Sequence, residues 1–90
     1  LARTLAPEIR VNCVAPGLTD TRWNRNGLGD EVYEKVLAKY RETVPLRRAA
    51  EAEEIADAIV WLIAGADLVT GQILTVDSGM HLGFAPLLAR

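Results

Sequence analysis

Ile9-Arg10-Val11-Asn12-Cys13-Val14-Ala15-Pro16-Gly17 reads as a strand that stops abruptly. From Ile9 to Ala15 it is β-branched and nearly continuously apolar, the pattern of a parallel strand covered on both faces. Pro16-Gly17 then ends it, because proline offers no amide and glycine turns freely. Asn12 interrupts the run. A buried amide needs partners, so its expected role is to tie down a neighbouring loop. The polar residues from Thr19 to Gly29 read as a loop. Open α/β sheets place ligands in loops at the carboxyl tips of their strands.

Upstream, Leu1 to Ala6 reads as the end of a helix, stopped by Pro7. Downstream, Asp30 is the expected N-cap of a helix from Glu31 to about Glu42. Val32, Tyr33, Val36, Leu37 and Tyr40 would be its apolar side. Pro45 closes that region. A second helix runs from about Glu51 to Ala64, with a stripe of Ile55, Ile59, Leu62 and Ile63. Glu51, Glu53 and Glu54 suit the positive end of its dipole. No Ser, Thr, Asp or Asn near Ala49-Ala50 marks its start, and Gly65 is the expected C-cap. Thr70-Gly71 is a turn, Gln72 to Val76 a second buried strand, and Asp77-Ser78-Gly79 its end. The tail from Met80 to Arg90 carries Leu82, Phe84, Leu87 and Leu88.

A strand, a helical crossover and a second strand predict a parallel pair with a right-handed connection. Such a pair cannot cover both of its own faces. The sequence also opens on Leu1, already inside a helical pattern. The expectation is one α/β unit that belongs to a larger domain and does not fold stably by itself.

Composition narrows the function. The 90 residues carry a formal net charge of -2, with 50% hydrophobic and 24% charged residues. The basic side chains are dispersed among acids, which argues against a nucleic-acid partner. One cysteine forbids an internal disulfide. Cys13 is expected as a small buried hydrophobe, and a reducing, cytoplasmic setting suits it. The longest apolar stretch, Ile55 to Ile63, is short and broken by Asp57, so no membrane span or signal peptide is expected. The single histidine, His81, has no partners at metal-ligand spacing. It reads as a structural or surface residue, and no metal site is expected.

The run Leu5-Ala6-Pro7-Glu8-Ile9-Arg10-Val11-Asn12-Cys13-Val14-Ala15-Pro16-Gly17 resembles the approach to, and exit from, the sixth strand of short-chain dehydrogenase/reductases. Pro45-Leu46-Arg47-Arg48, with Glu54-Ile55-Ala56 and Trp61-Leu62, resembles that family's return helix. Thr70-Gly71-Gln72-Ile73-Leu74-Thr75-Val76-Asp77-Ser78-Gly79 resembles its seventh strand and the following turn.

The resemblance implies the C-terminal part of a doubly wound parallel-sheet Rossmann fold, with a lid at about residues 22–45. It implies NAD or NADP as cofactor, and hydride transfer to or from a small-molecule carbonyl or alcohol, 3-oxoacyl thioesters among them. It further implies a homo-tetramer or homo-dimer. Pro16 and Gly17 would lie beside the nicotinamide, and Leu18 against its ring. Thr19 by its main-chain amide and Thr21 by its hydroxyl would hold the carboxamide. Trp23, Leu28 and Tyr33, with Tyr40, would line the substrate side of the lid. The catalytic serine, tyrosine and lysine would precede this chain. Neither Tyr33 nor Tyr40 is followed four residues later by lysine, so no catalytic residue is assigned within it.

Other readings stand beside this one. Taken alone, Pro16 to Thr21 is more simply a turn followed by a threonine helix cap. Tyr33 and Tyr40 serve equally well as packing for their own helix. The fold could carry a non-enzymatic binding or structural module, or a small autonomous βαβ protein. Tyr-X-X-X-Lys upstream distinguishes the enzyme from the binding module.

Overall fold

The computed structural model describes residues 1–83. α1 (Ala2–Leu5) is a single turn, and Ala6 is already extended ahead of Pro7, as the residue before a proline must be. β1 (Cys13–Pro16), β2 (Thr19–Asp20), α2 (Arg22–Leu28), α3 (Asp30–Thr43), β3 (Ala50–Glu51), α4 (Ala52–Ala64) and β4 (Ile73–Val76) follow. A 3-10 turn at Met80–Leu82 comes last. Of the apolar tail residues, Phe84, Leu87 and Leu88 lie outside the described residues.

β1 and β4 pair in parallel, with Cys13 opposite Ile73 and Pro16 opposite Val76. The parallel arrangement is the one the strand–crossover–strand order predicts. β1 is shorter than expected at its start and one residue longer at its end. Asn12 accounts for the late start. Its Nδ2 donates to the Val69 carbonyl at 2.9 Å and its Oδ1 accepts from the Gln72 amide at 3.0 Å. The half-buried side chain thus ties down the loop before β4, the role expected of it. Pro16 belongs to the strand rather than ending it. The amides of Cys13 and Gly17 donate to the carbonyls of Gln72, just before β4, and Val76, its last residue. Alternation turns position 16 the other way, so the ladder toward β4 loses nothing to proline.

The expected loop from Thr19 to Gly29 contains regular structure. β2 pairs in parallel with β3, Thr19 opposite Ala50 and Asp20 opposite Glu51. Arg22–Leu28 is helical because the Thr21 hydroxyl accepts from the Asn24 amide at 3.3 Å and caps it. Gly29, at φ 80°, then separates α2 from α3. Gly29 and not Asp30 is the N-cap of α3. Only a residue free of a Cβ enters the left-handed region at low cost.

α3 turns a narrower face inward than its apolar pattern suggests. Tyr33 and Leu37 are fully enclosed with Ala49, and Leu18 and Tyr40 pack against them. Full burial of each large side chain contributes about 2 to 3 kcal/mol. Val32 and Val36 stay exposed. α4 begins with a capping box in which the Glu51 and Glu54 side chains bond each other's backbone amides. That is the start signal the sequence hid, because glutamate replaces the usual small N-cap. Its other end is closed by Arg10, whose guanidinium donates to the carbonyls of Leu62, Ile63, Ala66 and Val69 at 2.8 to 3.2 Å. Leu62 and Ile63 lie in the last turn, whose carbonyls a helix end leaves without partners, and Ala66 and Val69 lie in the loop beyond it.

Cys13 is exposed, not buried. The register puts it on the same face as Ile73, which is 70% exposed, and no described helix covers that face. Leu62 of α4 is buried toward the other face. Ile59 and Ile63 line an open groove with Ile9, Val11 and Val14.

Candidate functional site

Gly17 to Thr21 crosses the carboxyl tips of β1 and β4. The ladder continues one step past β1, where the Gly17 amide donates to the carbonyl of Val76, the last residue of β4, at 3.0 Å. The side on which a Cβ of Gly17 would stand is filled from within the chain. Asp77 Cβ and the Tyr40 hydroxyl would each be 2.7 Å from it. Close backbone approach is therefore the reason for glycine here. The partner on that side is the turn after β4.

The rest of the segment is pinned at every step. The Leu18 carbonyl accepts from the Ala50 amide at 3.2 Å. Thr19 Oγ1 donates to the Gly17 carbonyl at 3.2 Å, and Asn24 Nδ2 donates to the Thr19 carbonyl at 2.8 Å. The Thr21 hydroxyl accepts from Asn24, which leaves its own proton for a second partner. Pro16, Gly17, Leu18, Thr19 and Thr21 are thus brought together on one short shelf.

The three lid candidates are not brought onto one surface. Trp23 lies on α2 and is 84% exposed, and Leu28 at its end is half-exposed. Tyr33 has no exposed surface at all. Its hydroxyl donates to Asp20 Oδ1 at 2.9 Å, and the Arg25 guanidinium lies 4.9 Å from its ring centre. Arg25 also pairs with Glu34 at 2.9 Å, Asp30 at 3.5 Å and Asp20 at 3.8 Å. Burial and the Asp20 carboxylate push the Tyr33 hydroxyl above its ordinary pKa, so it stays a donor at neutral pH.

A second cluster closes the shelf at its other end. Asp77 is buried. Its carboxylate accepts from the Gly79 amide at 3.0 Å, the His81 amide at 2.9 Å and His81 Nδ1 at 2.9 Å. Burial alone would raise this carboxyl. The His81 ring and the two amides outweigh it and hold the group below its ordinary range. His81 is thereby a structural partner of Asp77. The Tyr40 hydroxyl donates to the Asp77 carbonyl at 3.0 Å. Leu46 and Arg48 are tied to Ser78 by hydrogen bonds, so the exit of α3 is fastened to the same turn.

Sequence reasoning assembled the shelf but missed what braces it. Asp20, Arg25 and Asp77 were not singled out. The available signal was the spacing of Tyr33, Leu37 and Tyr40, which puts both hydroxyls on the inner side of one helix. Among the described residues, no group of His, Cys, Asp and Glu is arranged to hold a metal ion, and no helix is long and apolar enough to cross a membrane.

A family model described as enoyl-(acyl carrier protein) reductase matches residues 1–81. Glucose 1-dehydrogenase of Gluconobacter oxydans is 41% identical over 88 residues, which are 91% of this chain and 32% of that protein. The 3-oxoacyl-acyl-carrier-protein reductase of Buchnera aphidicola is 37% identical over 84 residues, again 91% of this chain and 32% of that one. A solved small-chain dehydrogenase in complex with NADPH superposes with a TM-score of 0.82 at 35% identity, covering 92% of this chain and 36% of that structure. The chain spans about a third of the length of these relatives.

Proposed function

Because the chain belongs to the short-chain dehydrogenase/reductase family, we propose that it is the C-terminal portion of a single Rossmann-like domain in an NAD(P)-dependent oxidoreductase. The observation that carries the reading is the braced shelf Gly17 to Thr21 at the tips of two parallel strands. Ligands of open α/β sheets bind at that position. The donor set fits a nicotinamide carboxamide, which offers one carbonyl oxygen and one amino group. The Thr19 amide and the remaining proton of the Thr21 hydroxyl, two positions apart, are donors that suit the carbonyl oxygen, which accepts two hydrogen bonds. Pro16 and Leu18 supply apolar contact for the ring, and Gly17 lies beside it with its side-chain position taken by Asp77 and Tyr40.

When bound, the nicotinamide supplies or accepts the hydride. This chain's residues hold the ring in one orientation, and α2 and α3 form the lid at about residues 22–45 that keeps water from it. The substrate is a carbonyl or alcohol of small-molecule size. The two named relatives, a glucose 1-dehydrogenase and a 3-oxoacyl-acyl-carrier-protein reductase, support that class without dividing it. The catalytic serine, tyrosine and lysine are supplied by chain outside these 90 residues. The protein works as a homo-tetramer or homo-dimer, a reading supported by the exposed Val60, Trp61 and Ile73. A cytoplasmic setting is supported by the single unpaired thiol, Cys13.

The test is Thr21→Val in the intact protein, titrated with NADH and NADPH by nicotinamide fluorescence. Loss of one hydrogen bond weakens binding of the preferred cofactor by about 1 kcal/mol, roughly fivefold. Unchanged affinity for both cofactors rejects the assignment.

A further inference from the structure

We propose that Tyr33 and Tyr40 are positioning residues for the nicotinamide site, each using its hydroxyl to fix one end of the Gly17–Thr21 shelf. The proposal rests on the reading of that shelf given above and deepens it. The two tyrosines are seven residues apart on α3, about two turns, so they project from one side of the helix. Tyr33 Oη donates to Asp20 Oδ1 at 2.9 Å. Asp20 stands between Thr19 and Thr21, the two proposed carboxamide partners, so a fixed Asp20 side chain fixes the peptide units on either side of it. Tyr40 Oη donates to the Asp77 carbonyl at 3.0 Å and packs over the bare side of Gly17. It therefore sets the height at which the shelf leaves β1.

Packing alone does not require these hydroxyls. A phenylalanine at position 33 would fill the same fully enclosed space beside Leu37 and Ala49. What the hydroxyl adds is a directional bond to a charged acceptor, reinforced by Arg25 on the ring face and on Asp20 itself. An orienting group of this kind lowers the ordering cost of binding, which is the physical basis of preorganisation.

The experiment compares Tyr33→Phe, Tyr40→Phe and Thr21→Val in the intact protein. It reads cofactor Kd by fluorescence and, with no cofactor present, amide exchange at Ala50 and Gly17. Those amides report the shelf directly, through their bonds to the Leu18 and Val76 carbonyls. The expected result is a Kd raised about threefold to tenfold by each phenylalanine variant. Faster exchange is expected at Ala50 for Tyr33→Phe and at Gly17 for Tyr40→Phe. A lowered melting temperature with unchanged Kd and unchanged exchange at these amides overturns the proposal, since the tyrosines would then only stabilise the fold. If Thr21→Val weakens binding and the phenylalanine variants do not, the proposal fails and the site reading stands. If Thr21→Val changes nothing, the site reading fails and takes the proposal with it.

Discussion

The Tyr40 hydroxyl stands where a side chain at Gly17 would begin: a Cβ there would lie 2.7 Å from Tyr40 Oη, and as near to Asp77 Cβ. Asp77 Cα at 2.8 Å is backbone and cannot swing aside. Gly17→Ala is therefore expected to overpack this junction and cost about 1 to 3 kcal/mol. Chemical denaturation of the intact protein measures it. A variant as stable as the wild type would mean that the β1 and β4 tips are not this close.

Arg10 is expected to be a stability residue with no part in chemistry. It closes the C-terminal end of α4 through the carbonyls of Leu62 and Ile63, and reaches those of Ala66 and Val69 in the loop that follows. Arg10→Ala should cost about 2 kcal/mol, the scale of a charge-assisted bond plus the unmet carbonyls. Hydrogen exchange in the last turn of α4 should accelerate before that of β4. Loss confined to cofactor affinity, with the helix end still protected, would be the contrary result.

Acid should loosen the start of α4. The Glu54 carboxyl is held down to about 2, chiefly by Arg48 and then by the Glu51 amide, from an ordinary 4.5. A carboxyl depressed on folding stabilises in full above its unfolded value and loses that contribution as pH falls toward its folded one. Stability should therefore decline between pH 4.5 and about 2. Asp77, also depressed, adds to the fall with the same sign. Thermal melts across that range test it. Glu54→Gln should flatten the slope, and an unaltered slope would contradict the assignment.

Much of the fold is legible in the residues because the decisive signals are local. Pro7 punctuates, the β-branched runs around Val11 and Ile73 mark strands, and Asn12 announces a polar tie beside one of them, whereas the N-cap of α3 falls on Gly29 and not on the expected Asp30. β2 is not legible, and α2 is legible only through the threonine cap that the plainer reading of Pro16 to Thr21 offers. Thr19–Asp20 is too short to carry a strand pattern and pairs only because Ala50 is brought beside it. α2 has no apolar stripe and depends on the Thr21 cap. The same holds for the site. Pro16 to Thr21 stands out by composition, whereas its braces join residues 13 to 37 positions apart. Tyr33, expected at the substrate side, is enclosed because its hydroxyl has a charged acceptor within the chain.

The claim on which the rest depends is that the tips of β1 and β4 carry the nicotinamide end of the cofactor. A structure of the intact protein with the nicotinamide cofactor bound tests it most directly. The account predicts the carboxamide within hydrogen-bonding distance of both the Thr19 amide and the Thr21 hydroxyl, with the ring beside Pro16 and Gly17. A nicotinamide lodged elsewhere, with Thr21 engaged only as the cap of α2, would contradict it.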